Sequence, residues 1–338
     1  MDQALVKSRR RIPGWLVPSL GYTLSALSLV WVFHSFNLRQ TLADLKSLDW
    51  RYVSIAVVIE LSVYLSHAWR WNMLLRPMAR LPYWRSVQAI YIGLYANTIL
   101  PLRTGEVIRC YLVAHWNGIP ISLAATSAVI ERILDGALML IALLITASRV
   151  PLPGYLFHGT EFLGIGLCFL IGLLIFIAVH KQEAHAVFSE TTWMSGVRHI
   201  VEEIHSMGNW RTMAPTVGAS VVYLLLQIVP VWMLMKSFEL DLSVWAAAVV
   251  FIIQRLGTVV PNAPGNVGLQ QYFSVVGLKL FYVPHDTAFQ FAGIMFGILT
   301  LPLLIGGFVA LALTGLKLGD IRTRAHTSLQ SPVEVTSD

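Results

Sequence analysis

Six long apolar stretches constrain the fold of this 338-residue chain more than any other feature. They cover residues 14–34, 52–72, 121–148, 160–180, 213–235 and 287–314. A helix of about 20 apolar residues spans a bilayer, and backbone groups in hydrocarbon must be hydrogen-bonded within such a helix. A composition of 56% hydrophobic and 12% charged residues excludes an ordinary soluble fold. The sequence therefore predicts an all-α polytopic membrane protein with six transmembrane helices.

Two more regions are apolar but interrupted by proline and glycine. Each divides into two short runs, at 86–100 with 106–116 and at 245–260 with 269–282. The predicted turn residues are Pro101, Gly105, Pro261, Pro264, Gly265 and Gly268. Irregular backbone at membrane depth persists only where protein or water satisfies it, and a re-entrant helical hairpin meets this condition. Two full spans per region are the alternative, which leaves the rest of the topology unchanged.

The distribution of Lys and Arg predicts the orientation in the membrane. With the N-terminus in the cytoplasm, the cytoplasmic segments 1–13, 70–86, 181–211 and 315–338 hold 14 of these residues, and the segments on the opposite side hold five. Cytoplasmic segments next to membrane spans carry such an excess. We therefore expect both termini to lie in the cytoplasm.

The predicted elements repeat along the chain. Three spans and one hairpin form a half at about 14–150, and the same series recurs at about 158–315, so the two halves have opposite orientations. The two hairpin turns also align proline with proline and glycine with glycine. This inverted repeat is the plan of many transporters, whose binding site lies where the broken helices meet. We expect one membrane domain at 1–315 and a short disordered cytoplasmic tail at 316–338.

Ionisable residues within the apolar segments carry the strongest functional signal. A charge at mid-bilayer costs on the order of 2.5–3.5 kcal/mol by insertion scales, so such residues usually mark a pathway or a polar site. Glu131 and Asp135 share one face of the third span and repel each other unless a cation or a proton lies between them. The candidate cations are Arg103, Arg109 and Arg132. A buried salt-bridge cluster and a polar site for a phosphate headgroup or a proton are compatible interpretations.

Polar residues at the two hairpins extend this site. Gly105 allows a tight turn, and the short helix after it would present free N–H groups to an anion. Asn97 is expected to cap freed backbone groups there. The predicted substrate-binding or translocation site comprises Arg103, Glu106, Arg109, Glu131, Arg132, Asp135, Asn97, Asn266 and Gln270. On the second span, Glu60 and His67 share a face, which indicates a helix–helix hydrogen bond or, alternatively, a proton relay.

Three motifs occur in a fixed order: Asn97-x3-Pro101-x3-Gly105-Glu106-x2-Arg109, then Glu131-Arg132-x2-Asp135, then Pro261-x2-Pro264-Gly265-x2-Gly268. In this order they resemble the membrane domain of the lysylphosphatidylglycerol synthetase/flippase family. The resemblance implies a bacterial or archaeal cytoplasmic membrane protein that moves a lipid, typically an aminoacylated phosphatidylglycerol, between leaflets. It also implies a polar translocation site formed by the charged residues of the first two motifs. The chain resembles stand-alone members, without the C-terminal aminoacyl-transfer domain.

These observations predict a lipid transporter of the flippase type and not an enzyme. We expect the phosphate of an anionic phospholipid headgroup to engage Arg109 and Arg132, while Glu131 and Asp135 balance charge or bind a proton. We expect membrane lipids as partners, no nucleic acid, no catalytic residue, no metal and no cofactor, and homo-oligomerisation stays open. Two alternatives remain: an integral-membrane enzyme that uses the same carboxylates as general acid and base, and a structural or assembly partner whose charge cluster only holds the bundle.

Overall fold

The structure is a computed structural model that describes residues 38–100, 104–150, 210–258, 264–316 and 318–323, with Thr23 and Val30. The spans predicted at 14–34 and 160–180 lie outside the described residues, apart from those two positions. The main helices are, in chain order, α1 (Leu38–Ser47), α2 (Trp50–Leu75), α3 (Tyr83–Ile99), α4 (Gly105–Asn117), α5 (Ile121–Ala147), α6 (Trp210–Ser237), α7 (Val244–Gly257), α8 (Leu269–Lys279) and α9 (His285–Ala312). A 3-10 turn at Pro264–Asn266 precedes α8. The described part of the chain contains no strand.

Three of these helices are long and apolar enough to cross a membrane: Trp50–Leu75, Met213–Ser237 and His285–Ala312. These helices confirm three of the predicted apolar spans, at 52–72, 213–235 and 287–314. At about 1.5 Å per residue each exceeds the roughly 30 Å of a bilayer core. Helix α5, at 27 residues, is equally long, but it carries three charged side chains in its middle. The protein is therefore an all-helical membrane protein in the part described.

Both interrupted regions form the predicted pair of short helices. Helices α3 and α4 pack against each other closely, because Gly93 faces Gly105 and a Cβ at Gly105 would overlap the Gly93 carbonyl oxygen. Helices α7 and α8 pack in the same way, and a Cβ at Gly277 would lie 3.0 Å from the Val250 backbone. Glycine therefore permits the close approach that a compact helical hairpin requires.

The buried apolar residues form two cores. The first lies among α2, α3, α4 and the start of α5, with Trp71 fully buried. The second lies among α6, α7, α8 and α9. Residues 318–323 are helical, and Ile321 is buried in the first core. This short helix lies within the segment 316–338 predicted as a disordered tail, and its side chains Leu318 and Ile321 pack against the first core.

The two groups of helices interlock. Helices α2 and α6 pack against each other over much of their length. Helix α3 of the first hairpin packs against α9, and helix α7 of the second hairpin packs against α5. Each hairpin therefore contacts a long helix of the other group, and the hairpins meet α2 and α6 near the centre of the molecule.

Candidate functional site

A buried carboxylate, Glu131 of α5, lies at the centre of a cluster of charged side chains. Its side chain is fully shielded from solvent, and residues of α2 and α4 contact it. Arg70 Nη2 lies 3.2 Å from Glu131 Oε1, and His67 Nε2 lies 3.3 Å from the same oxygen. Arg109 Nη2 lies 2.9 Å from Glu131 Oε2. One acidic group thus joins three helices.

Arg70 of α2 binds both carboxylates that the sequence places on one face of α5. It donates through Nη1 to Oδ1 of Asp135 and through Nη2 to Oε1 of Glu131. Its guanidinium carbon also lies 4.5 Å from the centre of the Tyr223 ring on α6. Sequence reasoning missed this residue, because Arg70 sits at the end of an apolar stretch and was counted among the cytoplasmic charges. Helix α2 continues to Leu75, which places Arg70 inside the bundle.

Arg109 of α4 is also enclosed, with 3% of its side chain exposed. Its Nε donates to Oε2 of Glu106 at 2.9 Å, and its Nη2 donates to Glu131. The guanidinium carbon lies 4.6 Å from the Trp71 ring centre. Two carboxylates and an aromatic face therefore occupy this guanidinium within the cluster.

Arg132 of α5 was one of three candidates for the cation between Glu131 and Asp135, and it does not occupy that place. Its side chain is 53% exposed, and its nearest carboxylate oxygens are Asp135 Oδ2 at 3.7 Å and Glu106 Oε1 at 3.9 Å. The cation that contacts both carboxylates is Arg70. Arg132 approaches Asp135, three residues further along α5, but forms no ion pair with Glu131. Arg132 instead lines a polar cavity beside the cluster.

The charges of this cluster balance. Three guanidinium groups, at positions 70, 109 and 132, oppose three carboxylates, at positions 106, 131 and 135. Burying charges is tolerable only when they are paired and hydrogen-bonded. His67 also contacts other helices, since its Nε2 lies 3.1 Å from Arg109 Nη1. This agrees with the predicted helix–helix hydrogen bond.

A polar cavity of about 210 Å³ lies beside the cluster and between the two groups of helices. Residues of α2 to α5 that line it include Glu60, Tyr64, His67, Asn97, Glu106 and Arg132. Residues from α6 to α8 include Tyr223, Gln227, Gln254, Arg255, Asn266 and Gln270. A smaller cavity of about 80 Å³ shares Arg132 and Arg255 with the first and adds Asp135. Six of the nine predicted site residues therefore line two adjoining cavities.

A second exposed arginine, Arg255 of α7, faces this cavity. Its Nη2 donates to Oε1 of Gln227 at 2.6 Å, and its guanidinium carbon lies 5.2 Å from the Phe251 ring centre. Among the described residues no carboxylate forms an ion pair with it. Arg132 and Arg255 thus bring two positive charges from opposite groups of helices to one polar space.

Comparison with known proteins identifies the family. The family described as "Lysylphosphatidylglycerol synthase TM region" matches residues 19–307 of the chain. The chain belongs to this family.

Its relatives are archaeal membrane proteins. The chain is 24% identical over 254 residues to a UPF0104 membrane protein of Methanothermobacter thermautotrophicus, covering 70% of this chain and 75% of that one. It is 22% identical over 260 residues to a UPF0104 membrane protein of Methanocaldococcus jannaschii, covering 70% and 77% respectively. No solved structure matches the chain significantly.

The hairpin turns of this lysylphosphatidylglycerol synthase TM-region protein are fixed by side-chain caps. Asn97 Oδ1 accepts a hydrogen bond of 2.8 Å from the Gly105 N–H at the start of α4, which confirms its predicted capping role. Gln271 Oε1 accepts one of 2.7 Å from the Gly268 N–H at the start of α8. Both bonds satisfy N–H groups that a helix N-terminus leaves free. The Gly105 N–H is therefore already occupied and does not contribute to the anion site predicted at that turn.

The second turn approaches the first hairpin. Gly265 and Gly268 adopt φ of 66° and 87°, a region that favours glycine. A Cβ at Gly265 would lie 3.0 Å from Cγ2 of Thr98 on α3. Pro264 begins the 3-10 turn that presents Asn266 to the cavity. Three predicted residues, Pro101, Arg103 and Pro261, lie outside the described part of the chain.

The described residues of this family member offer no group of three or more His, Cys, Asp or Glu side chains that could hold a metal ion. The cavity presents two guanidinium groups, neutral hydrogen-bonding side chains and two carboxylates, Glu60 and Glu106. Such an arrangement can bind an anion with several oxygens, because a guanidinium group matches phosphate geometry with two parallel N–H bonds.

Proposed function

We propose that this protein is a lipid transporter of the flippase type, which moves a phospholipid with an anionic headgroup between the leaflets of the membrane. One observation carries the proposal. An apolar helical bundle encloses a polar cavity to which Arg132 and Arg255 bring positive charge from opposite groups of helices. Charged groups placed within a membrane at such cost usually line the route of a polar cargo.

The headgroup phosphate binds between these two arginines. Arg132 has only long contacts of 3.7 and 3.9 Å to carboxylates, and the hydrogen bond of Arg255 goes to a neutral amide. Arg109, for which the sequence predicted this role, does not line the cavity and is occupied by Glu106 and Glu131. The phosphate would therefore meet Arg132 and Arg255 first.

The size of the cavity supports a headgroup as the bound part. Pockets for drug-sized ligands have volumes of roughly 300–1,000 Å³, and this cavity holds about 210 Å³. A phosphate with a small polar substituent fits such a space, and two acyl chains do not. The chains would stay in the lipid while the headgroup crosses through the protein.

The proposed architecture is six transmembrane helices and two re-entrant hairpins in an inverted repeat, with both termini in the cytoplasm of a bacterium or archaeon. The reciprocal packing of α3 on α9 and of α7 on α5 supports it, because an inverted repeat predicts that each hairpin contacts the last span of the other half. The cavity lies between the hairpins, where inverted-repeat transporters bind their cargo.

Transport is favoured over catalysis by the state of the clustered carboxylates. Glu106, Glu131 and Asp135 each have a guanidinium nitrogen within 4.0 Å, so none of them is a free general acid or base. In this proposal the cluster holds α2, α4 and α5 together and fixes one wall of the cavity.

The test is lipid movement in proteoliposomes. Fluorescent phosphatidylglycerol, phosphatidylethanolamine and phosphatidylcholine would be followed with a membrane-impermeant quencher. Arg132→Gln and Arg255→Gln each remove one charge-assisted contact of about 1.5–3 kcal/mol, so we expect phosphatidylglycerol movement to fall about tenfold or more. Arg80→Gln, at an exposed arginine away from the cavity, is the matched control and should move lipid at the wild-type rate.

The other functional classes give different results in the same assay. A folded protein that moves none of the three lipids would refute the proposal. New lipid products would then indicate an enzyme, and an inert protein would indicate a structural partner. Movement that is selective but unchanged in both arginine variants would refute the assigned phosphate site.

A further inference from the structure

Glu60 of α2 differs from the other carboxylates at the centre of the protein. Glu106, Glu131 and Asp135 each pair with an arginine. Glu60 is 9% exposed and has no Lys or Arg within ion-pair distance among the described residues. Its described hydrogen bond comes from the Tyr64 hydroxyl, at 3.3 Å from Oε1. It nevertheless lines the central cavity.

This environment makes the ionised form of Glu60 costly. A carboxylate inside a membrane protein is stabilised by a paired cation or by several hydrogen-bond donors, and the described surroundings of Glu60 supply one long hydrogen bond. The group can reduce this cost by taking a proton from the water of the cavity. Contact with the cavity allows that proton to exchange, which a sealed interior would not.

Other titratable or charged side chains also surround Glu60, and they come from several helices. The groups that line the cavity are Tyr64 and His67 of α2, Glu106 of α4, Arg132 of α5, Tyr223 of α6 and Arg255 of α7. Tyr91 of α3 packs against the Tyr64 ring and donates its hydroxyl to the Leu61 carbonyl oxygen. Helix α9 contributes only Leu299, Thr300 and Leu303 to the cavity. Glu106 is already bound by Arg109. Glu60 is therefore the carboxylate at this cavity whose charge changes without breaking an arginine pair.

We propose that Glu60 is a proton-binding site that couples the binding of the anionic headgroup to proton uptake. The inference rests on the proposed function. With Glu60 ionised, its negative charge offsets the positive charge of Arg255 across the cavity. When Glu60 takes a proton, the cavity gains one unit of positive charge, and Arg132 and Arg255 hold a phosphate more strongly. Because binding linkage is reciprocal, the bound phosphate also favours the protonated carboxyl.

The coupling gives the transporter a source of energy. A headgroup and a proton that bind together also leave together, so a proton gradient across the membrane would drive the lipid in one direction. In this proposal the proton gradient supplies the energy for lipid movement. Glu60 lies on α2 and Arg255 lies on α7, on opposite sides of the cavity. The strength of the electrostatic interaction between them therefore depends on the distance between these two helices.

The experiment measures protons taken up on binding. Dihexanoyl-phosphatidylglycerol, a soluble anionic phospholipid, would be titrated calorimetrically into the full-length purified protein at an acidic and a mildly alkaline pH, in two buffers of different ionisation enthalpy. Typical coupling free energies correspond to about 5–150-fold in affinity. We expect wild type to take up a proton and to bind at least about fivefold more tightly at the acidic pH.

Three variants sharpen the result. Glu60→Gln mimics the protonated carboxyl, so it should bind the probe at both pH values without proton uptake. Tyr64→Phe removes the hydrogen bond to Glu60 and should keep the uptake while shifting the pH at which it occurs. Glu239→Gln makes the same acid-to-amide change at an exposed position on the loop after α6 and should behave as wild type.

The outcomes separate the two proposals. If wild type binds the probe with no proton uptake and equal affinity at both pH values, the role of Glu60 is refuted and the anion site stands. If uptake persists in Glu60→Gln, another group, such as His67, binds the proton, and the assignment is refuted. If folded wild type does not bind the probe at either pH, the anion site of the proposed function fails, and the coupling fails with it.

Discussion

Replacing Arg70 with methionine should destabilise the protein far more than the same change at Arg132. Arg70 is fully buried and bonds both Glu131 and Asp135, and its guanidinium lies against the Tyr223 ring. Its removal leaves two guanidinium groups against three carboxylates. Removing one partner of a buried ion pair costs about 3–5 kcal/mol, because the remaining charge is left without compensation.

The matched control is the same substitution at Arg132, in the same cluster. Arg132 is half exposed and has only contacts longer than 3.5 Å to its carboxylates. Exposed pairs contribute up to about 1 kcal/mol, so Arg132→Met should cost less than about 1 kcal/mol. The free energy of unfolding would be measured by titration with SDS in mixed micelles, followed by far-ultraviolet circular dichroism.

A second-site change tests the reason for the loss. Adding Asp135→Asn to Arg70→Met removes one unpaired negative charge and should restore part of the lost free energy of unfolding, whereas Asp135→Asn alone should destabilise. Equal losses in Arg70→Met and Arg132→Met would contradict the reasoning, since burial and pairing would then have no effect on stability.

Two further predictions concern the first hairpin. Gly105→Ala should cost about 3 kcal/mol, the upper end of the range for overpacking, because its Cβ overlaps Gly93 and Asn97. Gly218→Ala, whose Cβ meets nothing within 4 Å, should be neutral or stabilising in the same SDS titration. Asn97→Ala should cost about 1 kcal/mol through loss of the cap on α4, with the wild-type fold retained, and an unchanged unfolding transition would show that the cap contributes nothing.

The helices of the two hairpins could be predicted from their apolar runs and from the proline and glycine residues that separate them. The runs 86–100 and 106–116 became α3 and α4 with boundaries shifted by at most three residues. Proline and glycine act through local backbone geometry, so their effect can be inferred without knowing what packs nearby. The cost of burying charge likewise predicted that a cation or a proton would lie between Glu131 and Asp135, and the structure places a cation there.

The identity of that cation could not be predicted, because it depends on how neighbouring helices are rotated. Arg132 is adjacent to Glu131 in sequence, but it forms no ion pair with Glu131, whereas Arg70 comes from α2, 61 residues away from Glu131. The tryptophans that flank Arg70, Trp69 and Trp71, extend the apolar stretch past it, and this was the available sequence signal that Arg70 is enclosed. The place of Arg255 at the cavity was not predicted for a similar reason, because it depends on which side of α7 faces the cavity.

Helix α5 carries three charges at its centre, and this affects how the protein is made. On insertion scales three such residues cost on the order of 8–10 kcal/mol together, which the apolar remainder of the helix has to offset. Helices α2 and α4 precede α5 in the chain and carry Arg70 and Arg109. We expect α2 and α4 to remain next to the translocon until α5 is synthesised. Helix α5 would then enter the bilayer while it pairs with them, and not as an isolated helix in lipid. Membrane insertion would then depend on the order of synthesis, because Arg70 and Arg109 are made before Glu131 and Asp135, the carboxylates with which they pair.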